Sequence, residues 1–418
     1  MNIKFQLKVI FFLQFFIWGS WLITLGSYMM RKLEFTGIEV GSIYGTMGIA
    51  SLFMPSLLGI VADRWIPANR LYMLCHFIGA VTLFIAASVT SPFMMMIVIL
   101  IHCLAFMPTI AISNSISYSC LESQGLDVIT QFPCIRIFGT IGFIVAMWLV
   151  SFLQLELSNI QLYIAAASSL LLSLYSFSLP LIPTAKNTTE EKSIISSLGL
   201  DAFVLFKQPR MAIFFLFAVL LGGILQITNT FGNPFLHDFE KFPEYADSLV
   251  VKYPSVLLSI SQISEVAFIL FVPFFMKRLG IKYVMLISMF AWVARFGLFA
   301  YGDPSPIGFV LLLLSMIVYG CAFDFYNISG SMYVEKSVSP TIRNSAQGLF
   351  MTMTNGLGAY LGSVISGFVV DHYTTTSGID WQTVWLVFAS YALVLAIVFM
   401  LIFKNENPNS KANQIVNE

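Results

Sequence analysis

The chain is 418 residues long, 58% of them hydrophobic and only 10% charged, with a formal net charge of zero. A soluble domain carries roughly 25% charged residues, so a mean hydropathy of +0.86 over this length excludes one ordinary water-solvated core and points to lipid as the main solvent. The balanced charge offers no basic face to nucleic acid and no acidic face to a cationic partner.

Taken in chain order, Lys4 and Lys8 precede an apolar run that continues through Met30. That run is too long for a signal-peptide core and has no small-residue cleavage site, so it is expected to stay as the first span, near 5–30. A helix needs about 20 apolar residues to cross the hydrocarbon core. Further windows of that kind fall near 39–62, 71–89, 93–120, 134–154 and 158–180. A polar stretch at 181–210 follows, holding Pro183, Lys186, Asn187, Thr188, Thr189, Glu190, Glu191 and Lys192. Six more windows lie near 211–232, 254–276, 281–300, 306–333, 344–370 and 381–403, and a polar tail occupies 404–418. The expected architecture is all-α and membrane-embedded. It has twelve transmembrane helices in two six-helix bundles, 1–180 and 211–403, joined by a cytoplasmic linker at 181–210 and ending in a cytoplasmic tail.

Lys and Arg counts in the loops set orientation. With the N-terminus inside, fifteen basic residues fall on inside segments, against Arg31, Lys32, Lys241 and Lys252 outside. Both termini are therefore expected in the cytoplasm. The halves also echo one another. Gly59–Arg64 follows span 2 and Lys277–Lys282 follows span 8, while Asn114 with Ser117 and Tyr118 in span 4 is matched by Asn327 with Ser329 and Tyr333 in span 10. A duplicated six-helix unit of this kind holds its substrate between the halves, near the midplane.

Four charges remain inside the predicted spans: Arg136, Glu265, Arg295 and Asp324. A charge at mid-bilayer costs about 2.5–3.5 kcal/mol on insertion scales, so it persists only if paired or facing a wet cavity. Asp324 is the deepest acid. On a helix it shares a face with Gly320 and Asn327, with Phe323 adjacent. It reads as a proton site, as an acceptor for a substrate hydroxyl, or as half of a structural ion pair. Glu265 shares its face with Gln262, and Gln226 with Asn229, each three residues apart. A carboxamide both donates and accepts, as the edges of a nucleobase require, although such groups also serve as glue between helices. Arg136 lies one face with Thr140 and Phe143, and reads either as a site residue or as an arginine snorkelling to the surface. Arg295 is expected to be structural, pairing an acid on a neighbouring helix. His76 and His102, and Cys75, Cys103, Cys120, Cys134 and Cys321, are expected to be packing residues. Trp18, Trp21, Tyr28, Tyr44, Phe143, Tyr319 and Phe323 are candidates to stack on a base, against the commoner packing role of aromatics in spans.

There is no P-loop, HExxH, GxSxG or Cys/His cluster. The sequence therefore predicts a transporter rather than an enzyme, with no cofactor and no metal, driven by an ion gradient. The residues alone leave Na⁺ open beside the proton. They also leave open a sugar or other small polar solute carrier on the same fold, and a non-transporting membrane sensor.

The sequence resembles the nucleoside:proton symporter family of the major facilitator superfamily over essentially its whole length. The resemblance is carried by Phe15–Trp21, Gly59–Trp65, Phe106–Thr109, Ile135–Phe143, Leu198–Ala202, Leu225–Asn229, Tyr319–Phe325 and Arg343–Gly348. Ser113–Cys120 and Val250–Ser255 lean toward the xanthosine branch. The resemblance implies proton-coupled nucleoside import by alternating access across a bacterial inner membrane, by a monomer whose partners are nucleoside, protons and lipid. It places substrate among Arg136, Thr140, Phe143, Gln226, Asn229, Gln262, Glu265, Tyr319, Phe323 and Asp324, with Asp324 and then Glu265 as proton carriers. One departure from the wider superfamily stands out. Asp63-Arg64 is followed by Trp65-Ile66-Pro67 instead of glycine and basic residues, so gating by that loop on the usual pattern is not carried over.

Overall fold

The computed structural model describes residues 2–180, 200–339 and 342–403; most of the expected linker and the whole expected tail lie outside the described residues. The chain runs through α1 (Ile3–Gly19), α2 (Leu25–Lys32), α3 (Gly37–Arg64), α4 (Ala68–Ala86), α5 (Pro92–Ser123), α6 (Val128–Phe152) and α7 (Ile160–Tyr175). It continues through α8 (Pro209–Asp238), α9 (Leu249–Lys252), α10 (Pro254–Ile269), α11 (Val272–Leu279), α12 (Ile281–Tyr301), α13 (Pro306–Ser337), α14 (Arg343–Met351), a π-helical turn (Thr352–Gly358), α15 (Ala359–His372) and α16 (Trp381–Ile402).

Local chemistry explains the boundaries. Thr36 accepts from the Glu39 amide while the Glu39 carboxylate accepts from the Thr36 amide, a reciprocal cap that starts α3. Proline opens α5, α8, α10 and α13, where its missing N–H costs nothing. Gly280, at φ +79°, ends α11 and starts α12 in the left-handed region that a side chain disfavours.

Ten helices among the described residues are long and apolar enough to cross a membrane, and α10 with α11 makes an eleventh, bent by 52°. The first expected span differs. It folds as α1 and α2 around a turn at 20–24, in pieces of 17 and 8 residues. Among the described residues, the twelve windows in the sequence thus become ten long helices, one bent pair and one pair broken at 20–24.

Helices α1–α7 pack chiefly on one another, as do α8–α16. The two sets meet mainly through α3 against α15 and the π-helical turn before it, and through α6 against α10. Small residues make the first meeting possible. A Cβ at Gly41 would sit 2.2 Å from the Ser363 carbonyl oxygen, and one at Gly48 would sit 2.5 Å from the Tyr360 amide nitrogen.

The polar contacts between the sets gather at the end away from the N-terminus. Asp371 accepts from the Gly37 and Ile38 amides at 2.5 and 2.8 Å, capping α3 from the other set. Ser27 donates to Asn233, and Arg31 donates to the His237 carbonyl and to Glu240 at 2.6 and 2.7 Å. Glu156, only 4% exposed, accepts from Asn233 at 2.7 Å and from the Ser255 amide at 3.2 Å, and lies 3.0 Å from His237 Nε2. Trp148 donates to Ser259 at 2.8 Å, and Gln154 to the Lys252 carbonyl at 2.7 Å. Toward the other end the facing helices lose cover. No described side chain from 51 to 62 of α3 is fully buried, and Phe53 is 62% exposed. The protein is closed at the end away from its N-terminus and splayed at the end that carries it.

Candidate functional site

The four intramembrane charges lie between the sets or just behind their facing surfaces. Arg136 projects from the first turns of α6 with its guanidinium 4.3 Å from the Phe15 ring centre and 5.7 Å from that of Phe11. It makes no salt bridge among the described residues; its electrostatic counterpart is Glu265, on α10 of the other set. Cation–π contact in place of a salt bridge keeps the charge at the gap, held but available.

Glu265, Tyr319 and Asp324 form a second group. Electrostatically, the Tyr319 hydroxyl feels both carboxylates and Arg295, and it contacts the Gln262 side chain. The rings of Tyr319 and Phe323 lie 5.8 Å apart and 4° from parallel, one helical turn apart on α13. Trp292 meets Tyr319 edge-on at 5.9 Å. The result is a flat aromatic wall flanked by two acids. Helix α13 approaches α10 closely enough for this because residue 320 is glycine; a Cβ there would meet the Ser264 carbonyl oxygen at 2.5 Å.

Several buried polar atoms here have no partner among the described residues. Asp324 is 4% exposed and its Oδ2 is unpaired; the Gln226 Oε1 is likewise buried and unpaired. Most buried polar groups in proteins are paired, so unpaired ones in the wall of a gap are where substrate, proton or water would bind.

The structure thus brings Arg136, Gln262, Glu265, Tyr319, Phe323 and Asp324 together. Gln226 is half-buried on α8, and no hydrogen bond among the described residues ties its side chain to this group. Phe143 is 8% exposed and meets Trp18 edge-on at 6.3 Å, so its closest ring contact is within the first set. Thr140 and Asn229 are half-buried, and no hydrogen bond ties their side chains to the others.

Two expectations change. Arg295 has no acid within ion-pair distance among the described residues. Its guanidinium donates to the Ser315 carbonyl at 2.8 Å and to Ser261 at 3.3 Å, and lies 4.6 Å from the Tyr319 ring centre and 5.1 Å from that of Phe299. It is 2% exposed and stands directly behind the aromatic wall. Cys134 is exposed and so is not a packing residue, whereas Cys75, Cys103 and Cys120 are buried. His76 and His102 are buried inside the first set, the former beside Tyr72 and Ser169, the latter beside Trp21 and Thr82. Sequence reasoning missed Glu156 with its partners Asn233 and His237. A lone acid between two spans reads as a solvated loop residue, and only the tertiary fold supplies its partners.

A family model described as nucleoside H⁺ symporter matches residues 1–408. The xanthosine permease of Escherichia coli is 63% identical over 417 residues, with 100% of each chain covered. The nucleoside permease NupG of Escherichia coli is 60% identical over 404 residues, covering 97% of this chain and 96% of that one. A crystal structure of the nucleoside transporter NupG superposes with a TM-score of 0.93 at 59% identity, over 97% of this chain and 100% of that one. A bacterial homologue of the lysosomal transporter Spinster, at 15% identity and a TM-score of 0.66, shares the fold alone. With these matches running the length of a multi-pass membrane protein of the major facilitator fold, the chain belongs to the nucleoside H⁺ symporter family.

Proposed function

We propose that the protein carries nucleosides, xanthosine among them, into the cytoplasm together with protons, with Asp324 as the coupling acid. The observation that carries this reading is the buried Asp324 carboxyl, whose Oδ2 has no partner among the described residues, on the same helix as the stacked Tyr319 and Phe323 rings. An ionised carboxylate is expensive to enclose without a partner, whereas a protonated one is not. Proton binding at Asp324 therefore lowers the cost of closing the two sets around the site. The rings offer a base a stacking face. Arg136, Gln226, Asn229 and Gln262 offer donors and acceptors to base and ribose. Glu265, opposite Arg136, ties the two sets electrostatically and is the second proton carrier. Thr140 and Phe143 complete the first set's side of the cavity.

The same reading takes α1–α7 and α8–α16 as two bundles that rock about the site, with residues 181–210 linking them. It places the protein in a bacterial inner membrane with both termini cytoplasmic, as a monomer. The splayed end then faces the cytoplasm, and the form described is inward-open.

The test is uptake of labelled xanthosine and uridine, with and without a protonophore, in cells lacking their own nucleoside carriers. Wild type should concentrate nucleoside, and the protonophore should abolish that accumulation. Asp324→Asn should fail to concentrate nucleoside yet still exchange labelled for unlabelled nucleoside across vesicles. Normal accumulation by Asp324→Asn would remove the residue from coupling. Transport of neither nucleoside by wild type would remove the substrate.

A further inference from the structure

Helix α1 lies on α6 backbone to backbone, because small residues stand at the contact. A Cβ at Gly142 would sit 2.2 Å from the Phe12 carbonyl oxygen, and one at Gly19 would sit 2.5 Å from the Phe143 carbonyl oxygen. A Cβ at Gly139 would lie 2.8 Å from both the Phe15 ring and Arg136 Nη1. This close approach brings the rings of α1 directly against Arg136 and Phe143 of α6.

Trp18 is where these groups meet. Its ring lies 6.0 Å from that of Phe15, which in turn carries the Arg136 guanidinium at 4.3 Å. It meets Phe143 edge-on at 6.3 Å. Among the described residues, Trp18 is the one aromatic partner of both Phe15 and Phe143. Beside it stands Phe106 of α5, 5.9 Å away and only 1% exposed, with the buried His102 stacked on that ring at 5.5 Å and the buried His76 edge-on to it at 5.9 Å. The Trp18 indole N–H is buried and has no partner among the described residues, so the surrounding rings set its orientation. Edge-on aromatic contacts are directional, and a close-packed interior transmits a displacement instead of absorbing it. A shift of the indole therefore reaches Phe143 directly and Arg136 through Phe15.

We propose that Trp18 is a positioning residue of the nucleoside site: it holds the Phe143 ring and, through Phe15, the Arg136 guanidinium in the arrangement that receives substrate. It acts through these two side chains and not by touching the nucleoside. His76 and His102 steady it from behind, through Phe106. The proposal rests on the nucleoside reading above.

The experiment separates affinity from turnover. Affinity is read by equilibrium binding of labelled uridine and xanthosine to purified full-length protein, and turnover by exchange across vesicles without a proton gradient. Trp18→Ala should weaken nucleoside binding about tenfold and leave the maximal exchange rate within about twofold. Trp18→Phe, which keeps a ring beside both neighbours, should weaken binding only about threefold, and carries the test if the alanine variant does not reach the membrane. In Phe143→Leu and in Arg136→Lys, each of which removes a group that Trp18 positions, either Trp18 substitution should cost about threefold less than in the native protein. The same cost in both backgrounds as in the native protein would make Trp18 a packing residue and overturn the proposal. Wild type that binds nucleoside while both Trp18 variants match its affinity refutes the proposal alone. Wild type that binds neither nucleoside refutes the underlying reading as well.

Discussion

At the scale of single residues, the site is built from charges that have given up their usual partners. Arg136 rests on Phe15 and faces Glu265 across the gap, and the buried Oδ2 of Asp324 has no partner among the described residues. Arg295 is the fixed member of this group. Its hydrogen bonds to Ser261 and the Ser315 carbonyl anchor the guanidinium plane, and that plane backs the Tyr319 ring, which in turn stacks on Phe323. Charge-assisted hydrogen bonds contribute about 1.5–3 kcal/mol each, and a desolvated cation–π contact about 2 kcal/mol. Arg295→Met is therefore expected to loosen the aromatic wall and raise the half-saturating nucleoside concentration about tenfold. Arg295→Lys keeps the charge but loses the plane, and should recover only part of the loss. Uptake kinetics with surface expression measured in parallel checks both; equal affinity in all three proteins would make Arg295 a packing residue only.

At the scale of elements, the closed end depends on α3 lying directly on α15. Gly37, Gly41, Gly45 and Gly48 recur along one side of α3, and Cβ atoms at Gly41 and Gly48 would run into α15 backbone. Backbone does not yield as a flexible side chain does, and overpacking costs typically 1–3 kcal/mol. Gly41→Ala should therefore keep the closed end from sealing and slow uptake severalfold. Gly59→Ala, at a position with nothing within 4 Å of the added carbon, should transport normally. Labelled nucleoside uptake by the two variants at matched expression is the measurement; equal rates would show that α15 gives way. Elements of this kind mark the limit of what the sequence reveals. Hydropathy located the spans, because a run of apolar residues answers to lipid without knowing its neighbours. Charge placement picked out Arg136, Glu265 and Asp324, because a buried charge needs a reason whatever surrounds it. The break at 20–24 and the bend before α11 were hidden, since apolar residues continue through both. The glycine stripe of α3 and the indole at Trp18 were visible as letters, but their meaning depends on which helix lies opposite.

At the scale of the whole molecule, alternating access requires the closed end to open, and Glu156 is the side chain that most directly opposes this. It stands between α6 and α7, outside the membrane-spanning segments, and its carboxylate is enclosed by Asn233, His237 and the Ser255 amide of the other set. Burial by itself pushes its pKa up. The hydrogen bond and charge of His237 and the hydrogen bond from Asn233 outweigh burial and hold it below the ordinary 4.5. Opening returns the carboxyl to water and to its ordinary value, so the closed form binds the proton less well than the open one. Closure is therefore favoured fully above the ordinary value and loses this contribution as the pH on that face falls through the lowered one. Glu156 itself is ionised in both forms through the neutral range, so its own protonation adds no pH dependence there. Glu156→Gln removes the charge at every pH and should raise the open fraction about tenfold, the equivalent of roughly 1.4 kcal/mol. Spin labels on Glu34→Cys and Glu244→Cys, one on each set at the closed end, would read the distance directly in a Cys134→Ser, Cys321→Ser background. In Glu156→Gln the longer distance should gain population and depend less on acid pH than in the otherwise native protein. In the otherwise native protein it should appear only below the ordinary carboxylate range. An unchanged distribution in Glu156→Gln would mean that Asp371 of α15, capping α3, and the glycine contacts hold the closed end without Glu156.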